Sequence, residues 1–204
     1  MLTFDHLAIS AATLAEGVDA VEAALGVPLA PGGQHPHMAT HNRLLNLGDL
    51  YLEVIATDPA APAPAWPRWF DLDRFQGRPR LTNWVARCDD LDAELALGPD
   101  EVGVPVSLSR GDFRWRMAVP GDGCLPFDGG YPALIHWQGE AHPAARLPDQ
   151  GMRLTRFEIA HPQAADLRAA LDGRMTDARV QIVQGPAKAM RATFDTRNGP
   201  RVLE

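Results

Sequence analysis

The feature that most constrains this chain is a recurring order of elements, in which a strand and a helix precede a group of further strands. Apolar, strand-like segments open the three copies at residues 3–10, 81–88 and 154–160. The helix after the first segment is the clearest, because Thr13 and Glu16 form a capping-box pattern. Repetition of this kind determines an architecture more strongly than residue-by-residue propensities do. We therefore predict three related β-α-β-β-β units.

The first copy closes with a predicted antiparallel hairpin. Two apolar runs flank Gly48-Asp49, a dipeptide that suits a two-residue turn. That turn sets a register which places Asn42 on the same face of the sheet as Glu53. A loop one residue longer would place His41 there instead.

The predicted fold class is α+β, with repeated βαβββ modules that form a curved sheet around a cup. The modules are assigned to residues 1–58, 80–143 and, for a shorter third copy, 152–204, with an Ala/Pro-rich linker at 59–79. A helix covers only one face of such a module, so pairing two modules across their open faces encloses a cavity. The third copy also needs a partner, either by extending the first two or in a homodimer.

Composition excludes several classes of partner. The net charge is −7 and the pI is about 5.4, and no stripe of lysine or arginine offsets this balance. Nucleic acid and anionic membrane surfaces are therefore not expected as main partners. No apolar run reaches the length of a membrane span and no secretory leader opens the sequence, so we expect a cytoplasmic protein. Cys88 and Cys124 are then expected to be free thiols.

Aligning the first two modules brings candidate metal ligands to equivalent places. His6, in the opening strand, lies over Trp84, and Glu53, in the closing strand, lies over His136. A carboxylate within an apolar strand is costly to bury unless it is paired or bound to a metal. The alternative for Glu53 is a salt bridge to an arginine such as Arg43, and the alternative for His6 is a histidine satisfied within the core.

Several short stretches carry a resemblance to a known superfamily. They are Asp5-His6-Leu7-Ala8, Gly32-Gly33-Gln34-His35-Pro36, Thr40-His41-Asn42, residues 47–55, Leu81-Thr82-Asn83-Trp84, and Ala133-Leu134-Ile135-His136-Trp137 with His142-Pro143 after it. Together they resemble the vicinal oxygen chelate superfamily and, within it, the glyoxalase-like domain proteins. The resemblance covers nearly the whole chain. It implies the glyoxalase/dioxygenase-like arrangement of paired modules around a cup.

The resemblance also implies one divalent metal ion, held by His6, Glu53 and His136. Iron, zinc, manganese, cobalt or nickel would suit two imidazoles and a carboxylate with open coordination positions. The implied function is that of a lyase, isomerase or dioxygenase that chelates the oxygens of a small oxygen-rich metabolite. Glu53 is the predicted catalytic residue, because a carboxylate in a dry cup can also act as a base. Trp84 stands where a four-ligand site requires a ligand, so glyoxalase I activity itself is not implied.

Five residues are predicted to contact a small-molecule substrate: His35, Asn42, Trp84, Arg114 and Trp115. His35 belongs to a loop that would form the rim of the cup. Arg114 and Trp115 belong to an alternating basic and aromatic strand that suits an anionic substrate, although a solvated arginine is an equal alternative. A second function also stays open, because the same cup without a metal would bind and sequester a small molecule. Indole at position 84 favours this alternative, since it stacks and cannot ligate.

Overall fold

The computed structural model describes residues 1–204 and contains twelve strands, arranged in two sheets, and four α-helices. The strands are β1 (Thr3–Ser10), β2 (Ala30–His35), β3 (Thr40–Asn46), β4 (Tyr51–Thr57), β5 (Arg80–Arg87), β6 (Val104–Arg110), β7 (Phe113–Val119), β8 (Ala133–Trp137), β9 (Arg153–His161), β10 (Val180–Gln184), β11 (Ala189–Asp195) and β12 (Arg201–Leu203). The helices are α1 (Leu14–Leu25), α2 (Leu91–Leu95), α3 (Pro143–Arg146) and α4 (Ala164–Leu171). None of these helices has the length and apolar character needed to span a membrane.

The larger sheet has eight strands in the order β2-β3-β4-β1-β5-β8-β7-β6. Its two halves share one plan: β1 pairs with β4 in parallel, β5 pairs with β8 in parallel, and the outer strands of each half pair antiparallel. The halves meet where β1 and β5 pair antiparallel. The predicted α+β class with βαβββ modules is confirmed, and the curl of the sheet creates a concave face. The residue boundaries assigned to the modules stay a prediction.

Local signals in the sequence account for the first module. The Thr13 side chain accepts a hydrogen bond from the backbone N–H of Glu16, and α1 ends at Gly26, whose φ is 74°. The hairpin between β3 and β4 closes with the N–H of Leu47 donating to the carbonyl of Leu50 at 2.9 Å. The predicted N-cap at Thr13 and the predicted two-residue turn are both observed, and the Glu16 carboxylate accepts from the Thr13 hydroxyl rather than from its backbone N–H.

A β-bulge interrupts β1 at Asp5. Phe4 pairs with Ala86 and His6 pairs with Val85, so Asp5 has no partner on β5. The extra residue changes the alternation of the strand, because Phe4 packs in the main core whereas His6 lines the concave face. Strict alternation would place Phe4 and His6 on one face, and the bulge places them on opposite faces.

The third copy of the pattern forms its own sheet, in the order β10-β9-β11-β12. It packs against the convex face of the larger sheet through Phe4, Trp84 and Phe157, whose ring centroids lie 5.4, 5.6 and 5.8 Å apart. Trp84 is fully buried there, and its Nε1 donates to the carbonyl of Gly130 at 2.8 Å. Because Trp84 pairs with Leu7, it shares the face of Leu7, which points away from the cup. The prediction that Trp84 contacts substrate is therefore wrong.

Candidate active site

The concave face encloses a cavity of about 30 Å³. Its first-module side is formed by His6, His35, Asn42, Tyr51 and Glu53, and its other side by Trp69, Phe70, Arg110, Trp115, Met117, Ile135 and Trp137. The polar groups thus come mostly from one module, and the linker and second module supply a largely aromatic wall. The volume suits about one water-sized group, so only the end of a small ligand fits without rearrangement.

Glu53 and His6 form the centre of this cluster. Glu53 Oε2 lies 3.5 Å from His6 Nε2, and both side chains are buried. They meet because β1 and β4 pair in parallel, with His6 opposite Tyr51 and Ala8 opposite Glu53. The His6 ring also stacks on the Tyr51 ring, with centroids 4.3 Å apart, and this contact holds the orientation of the imidazole.

Asp5 is fully buried behind His6 and anchors its imidazole. Asp5 Oδ1 lies 2.6 Å from His6 Nδ1, and Asp5 Oδ2 accepts from Trp137 Nε1 at 3.0 Å. The same Oδ2 lies 3.0 Å from His142 Nε2. Sequence reasoning missed Asp5, Trp137 and His142 as members of the site, although an aspartate directly before a histidine is an available signal. Regular alternation separates such neighbours, and only the bulge brings them together.

The charges of this cluster depend on hydrogen bonds that oppose the effect of burial. Burial alone would lower the pKa of His6, but hydrogen bonds with Asp5 and Glu53 raise that pKa to about 9. Burial alone would raise the pKa of Glu53, but its contacts with His6 and Asn42 lower that pKa to about 2. For Asp5, hydrogen bonds with His142 and His6 likewise outweigh burial and lower the pKa. Near neutral pH the cluster is therefore an imidazolium between two carboxylates.

Asn42 links Glu53 to the rim of the cavity. Its Nδ2 donates to Glu53 Oε1 at 2.5 Å, and its Oδ1 accepts from Gly33 N at 2.8 Å and from Arg110 Nη1 at 3.2 Å. Asn42, rather than His41, therefore faces the cavity, as the register of a two-residue turn predicts. The amide holds one carboxylate oxygen of Glu53 and leaves the other beside the imidazole.

His35 is the second imidazole of the cavity. Its Nδ1 lies 3.0 Å from Thr40 Oγ1, and its Nε2 lies 3.3 Å from Arg110 Nη1. Burial lowers the pKa of His35 to about 4, and this effect outweighs the attraction of the Glu53 charge, while the Arg110 charge adds to it. The neutral ring is therefore an acceptor for the guanidinium at Nε2.

Of the predicted site residues not yet placed, His136 and Arg114 lie outside the cavity and Trp115 lies inside it. In β8, Ile135 and Trp137 line the concave face, so alternation turns His136 to the opposite face, where its Nδ1 lies 3.0 Å from a backbone carbonyl. Arg114 is exposed, and its guanidinium donates to carbonyls of its own hairpin. Contrary to the prediction, the structure therefore brings neither His136 nor Arg114 to the cup. Trp115 does line the cavity.

The residues present do not fit the predicted divalent metal site. No group of three or more His, Cys, Asp or Glu side chains is placed to hold a metal ion. Of the implied ligands only His6 and Glu53 meet, and the other imidazole of the cavity, His35, has the guanidinium of Arg110 beside its Nε2. Protein sites for such metals supply at least three ligands as a rule. The predicted triad of His6, Glu53 and His136 is therefore not formed.

The curled sheet of paired βαβββ units, with a buried polar cluster on its concave face, defines a protein of the glyoxalase-like class. A family model described as "Glyoxalase-like domain" matches residues 4–174. The chain belongs to this family, and the resemblance drawn from its sequence is confirmed. A search of curated proteins finds no match.

Solved structures are similar to this chain at low sequence identity. A hypothetical protein from Staphylococcus aureus is 13% identical with a TM-score of 0.62, over 92% of this chain and 88% of that chain. A methylmalonyl-CoA epimerase from Streptomyces coelicolor, in complex with 2-nitronate-propionyl-CoA, is 18% identical with a TM-score of 0.45, over 69% of this chain and 100% of that chain. The epimerase from Mycobacterium tuberculosis is 18% identical with a TM-score of 0.43, over 68% and 88% of the two chains. The first of these similarities supports the fold alone.

Proposed function

We propose that this protein is a glyoxalase-like enzyme that moves a proton on a small oxygen-rich metabolite, in a reaction of the lyase or isomerase type. The observation that carries this proposal is the pair of Glu53 and His6 in the cavity, with 3.5 Å between Oε2 and Nε2. A carboxylate beside an imidazolium supplies a base and an acid at one point. Metal chelation of substrate oxygens, implied by the sequence, lacks its third ligand because His136 lies on the other face.

Glu53 acts as the base in this proposal. When a substrate oxygen takes the place of Glu53 beside His6, the carboxylate loses the contact that keeps its pKa low. Burial then raises the pKa of Glu53. The carboxylate becomes able to remove a proton from the carbon next to a carbonyl group. Asn42 keeps Oε1 in place during this change and leaves Oε2 for the substrate.

His6 stabilises the negative charge that this step creates. The electron pair of the broken C–H bond moves onto the carbonyl oxygen, and the Nε2–H of the imidazolium donates to that oxygen. Asp5 accepts from Nδ1–H and thereby directs Nε2 into the cavity. Return of the proton from Glu53 to another carbon completes an isomerisation, whereas loss of a neighbouring leaving group completes an elimination.

Hydrogen exchange at the substrate carbon tests this proposal. The protein is incubated in deuterium oxide with 2-hydroxy ketones, 2-oxo acids and thioesters, and NMR follows the acidic C–H signal. We expect exchange with one of these classes and a loss of at least about 10²-fold in Glu53→Gln. Glu140→Gln, at an exposed glutamate outside the cup, is the matched control and should retain full activity. Exchange that persists in Glu53→Gln overturns the proposal.

A second candidate is a binding protein of the same fold without catalysis, as the sequence also suggested. The aromatic wall favours it, because Trp115 and Trp137 pack with ring centroids 5.4 Å apart and the edge of the His35 ring meets Trp69. Such a wall contributes affinity for apolar or aromatic ligands. Tryptophan fluorescence in the same substrate panel separates the two, since saturable quenching without hydrogen exchange supports binding alone.

The homodimer suggested by the third copy stays a prediction. The smaller sheet already covers one face by packing Phe157 against Phe4 and Trp84 of the larger sheet. The reason for expecting a partner subunit is therefore weaker than the sequence alone implied. Sedimentation equilibrium measures the oligomeric state directly.

A further inference from the structure

A second cavity, of about 280 Å³, lies outside the cup. It is enclosed by the turn Trp69–Asp71, the start of β5, the turn Phe127–Gly129 and the loop between β10 and β11. Lys188, in that last loop, is the only lysine among the 19 lysine and arginine residues of the chain. The smaller sheet thus brings a single ammonium group to a cavity whose other walls belong to the larger sheet and its loops.

Two cations of this cavity have no carboxylate partner. Lys188 Nζ donates to the Thr82 carbonyl at 2.7 Å and forms no ion pair. Arg80, at the rim, donates from Nη1 to the carbonyls of Gln76 and Arg78 at 2.8 and 3.2 Å and also forms no ion pair. Backbone carbonyls therefore satisfy some of their N–H groups but do not balance their charges.

The remaining charged groups of the cavity are Arg74, Asp71 and Asp128. Arg74 Nε pairs with Asp71 Oδ1 at 2.6 Å, so these two charges balance each other. Asp128 forms no hydrogen bond with Lys188, although its charge acts on that ammonium group from a distance. Three cations against two carboxylates leave an excess of positive charge here, in a chain whose net charge is −7.

The backbone around the cavity adopts a conformation that side-chain-bearing residues seldom adopt. Five non-glycine residues of the chain have positive φ, and four of them, Phe70, Asp71, Phe127 and Asp128, lie in the two turns that enclose this cavity, with φ between 54° and 58°. Such conformations persist where the surroundings over-determine them, as they do at ligand clamps. Gly129 packs so closely on β5 that a Cβ would lie 2.8 Å from a backbone oxygen there. The turn at Gly129 is therefore closely packed on β5 at one wall of the cavity.

We propose that this second cavity is an oxyanion site, in which Lys188 and Arg80 bind the phosphate or carboxylate group of a small molecule. A partly buried ammonium group without a paired counter-ion is unfavourable. Burial accordingly lowers the pKa of Lys188. A bound oxyanion supplies the missing counter-ion, and the guanidinium offers parallel donors for two of its oxygens. The site is separate from the cup, and Phe70 lines both cavities.

The single lysine allows this site to be observed directly. Reductive methylation with isotopically labelled formaldehyde labels Lys188 and the amine of Met1 and keeps their positive charge. Inorganic phosphate and succinate are then titrated separately while NMR follows both signals. We expect a saturable shift of the Lys188 signal, with a Kd at or below about 1 mM. The amine of Met1, which pairs with Glu94 elsewhere, is the internal control.

Calorimetry on the unmodified protein completes the test. Lys188→Met and Arg80→Gln should each weaken binding by about tenfold or more. Arg191→Gln, at an exposed arginine of β11 that pairs with Glu204, should bind as the wild type does. Arg80 is exposed, so Arg80→Gln keeps the test valid if Lys188→Met unfolds.

Each outcome of these titrations has a defined meaning. Binding of phosphate alone supports the site and assigns it to phosphate-bearing ligands, and binding of succinate alone supports the site and assigns it to carboxylates. Equal shifts of the Lys188 and Met1 signals, or no shift with either anion, overturn the proposal. Retention of full affinity in both Arg80→Gln and Lys188→Met overturns it as well.

Discussion

Asp5 and His6 are neighbours in one β-strand, yet a 2.6 Å hydrogen bond joins Oδ1 of the first to Nδ1 of the second. Adjacent side chains of a regular strand point to opposite faces, so this contact depends on the bulge in β1. The bulge buries the Asp5 carboxylate completely and directs the second nitrogen of His6 towards Glu53. The chemistry proposed for the cup therefore begins with a local departure from strand geometry.

Asp5→Asn is expected to lower the rate of hydrogen exchange by about 10²-fold or more. An amide cannot hold the imidazolium as a carboxylate does, so the pKa of His6, which is about 9 in the wild type, should fall. The measurement is the pH profile of the exchange rate, whose alkaline limb should move to lower pH. Asp19→Asn, at an exposed position of α1, is the control. An alkaline limb that stays in place would contradict a positioning role for Asp5.

The free energy of unfolding is expected to fall on both sides of weakly acidic pH. The pKa of Glu53 is about 2 in the folded protein and 4.5 without perturbation, so its contribution is complete above pH 4.5 and is lost as the pH falls towards 2. The pKa of His6 is about 9 against 6.5, so its contribution is complete below pH 6.5 and is lost as the pH rises through 9.

Urea unfolding across this pH range measures both limbs. In Glu53→Gln the acid limb should become shallower, because the variant lacks the carboxylate whose protonation costs stability. An acid limb as steep as that of the wild type would show that other carboxylates determine it.

His136→Ala is expected to change neither activity nor the response to metal ions, because the imidazole lies on the face opposite the cup. Thermal unfolding with zinc, manganese, cobalt, nickel or iron(II) checks this, since an ion that binds only the folded protein raises Tm. We expect none of these ions to raise the Tm of the wild type saturably through a contact with Glu53, so the Glu53→Gln variant should respond to them as the wild type does. One equivalent of bound metal, lost in both His136→Ala and Glu53→Gln, would support the triad predicted from the sequence.

Trp84→Ala is expected to lower the free energy of unfolding by about 3–5 kcal/mol. The indole packs between Phe4 and Phe157 and so joins the two sheets. Urea unfolding measures the loss. Trp66→Ala, at a side chain that is 45% exposed and stacked on His37, should change stability by less than about 0.5 kcal/mol. If Trp84→Ala instead changed the free energy of unfolding only slightly and weakened ligand binding, the result would support the predicted contact of Trp84 with substrate.

The sequence by itself determined the features that depend on short-range interactions. The helix N-cap at Thr13 and the turn at Gly48-Asp49 involve residues at most three positions apart, so their chemistry is visible in the sequence. The turn also determines the register of β3 and β4, in which Ile55 faces Asn42. For that reason the contact between Asn42 and Glu53 could be anticipated, and His6 could be identified as their neighbour.

Only the tertiary structure decided which face of β8 points into the cup. Ala133, Leu134 and Ile135 in β8 are all buried, so their hydrophobic pattern does not show which alternate residues face the cup. A shift of one residue would exchange His136 for Trp137 in the cavity. The local sequence likewise gives no sign of the bulge at Asp5, because the bulge arises from pairing with a strand about 80 residues away. Long-range strand pairing, which no local pattern encodes, therefore brings Asp5 rather than His136 to His6 and Glu53.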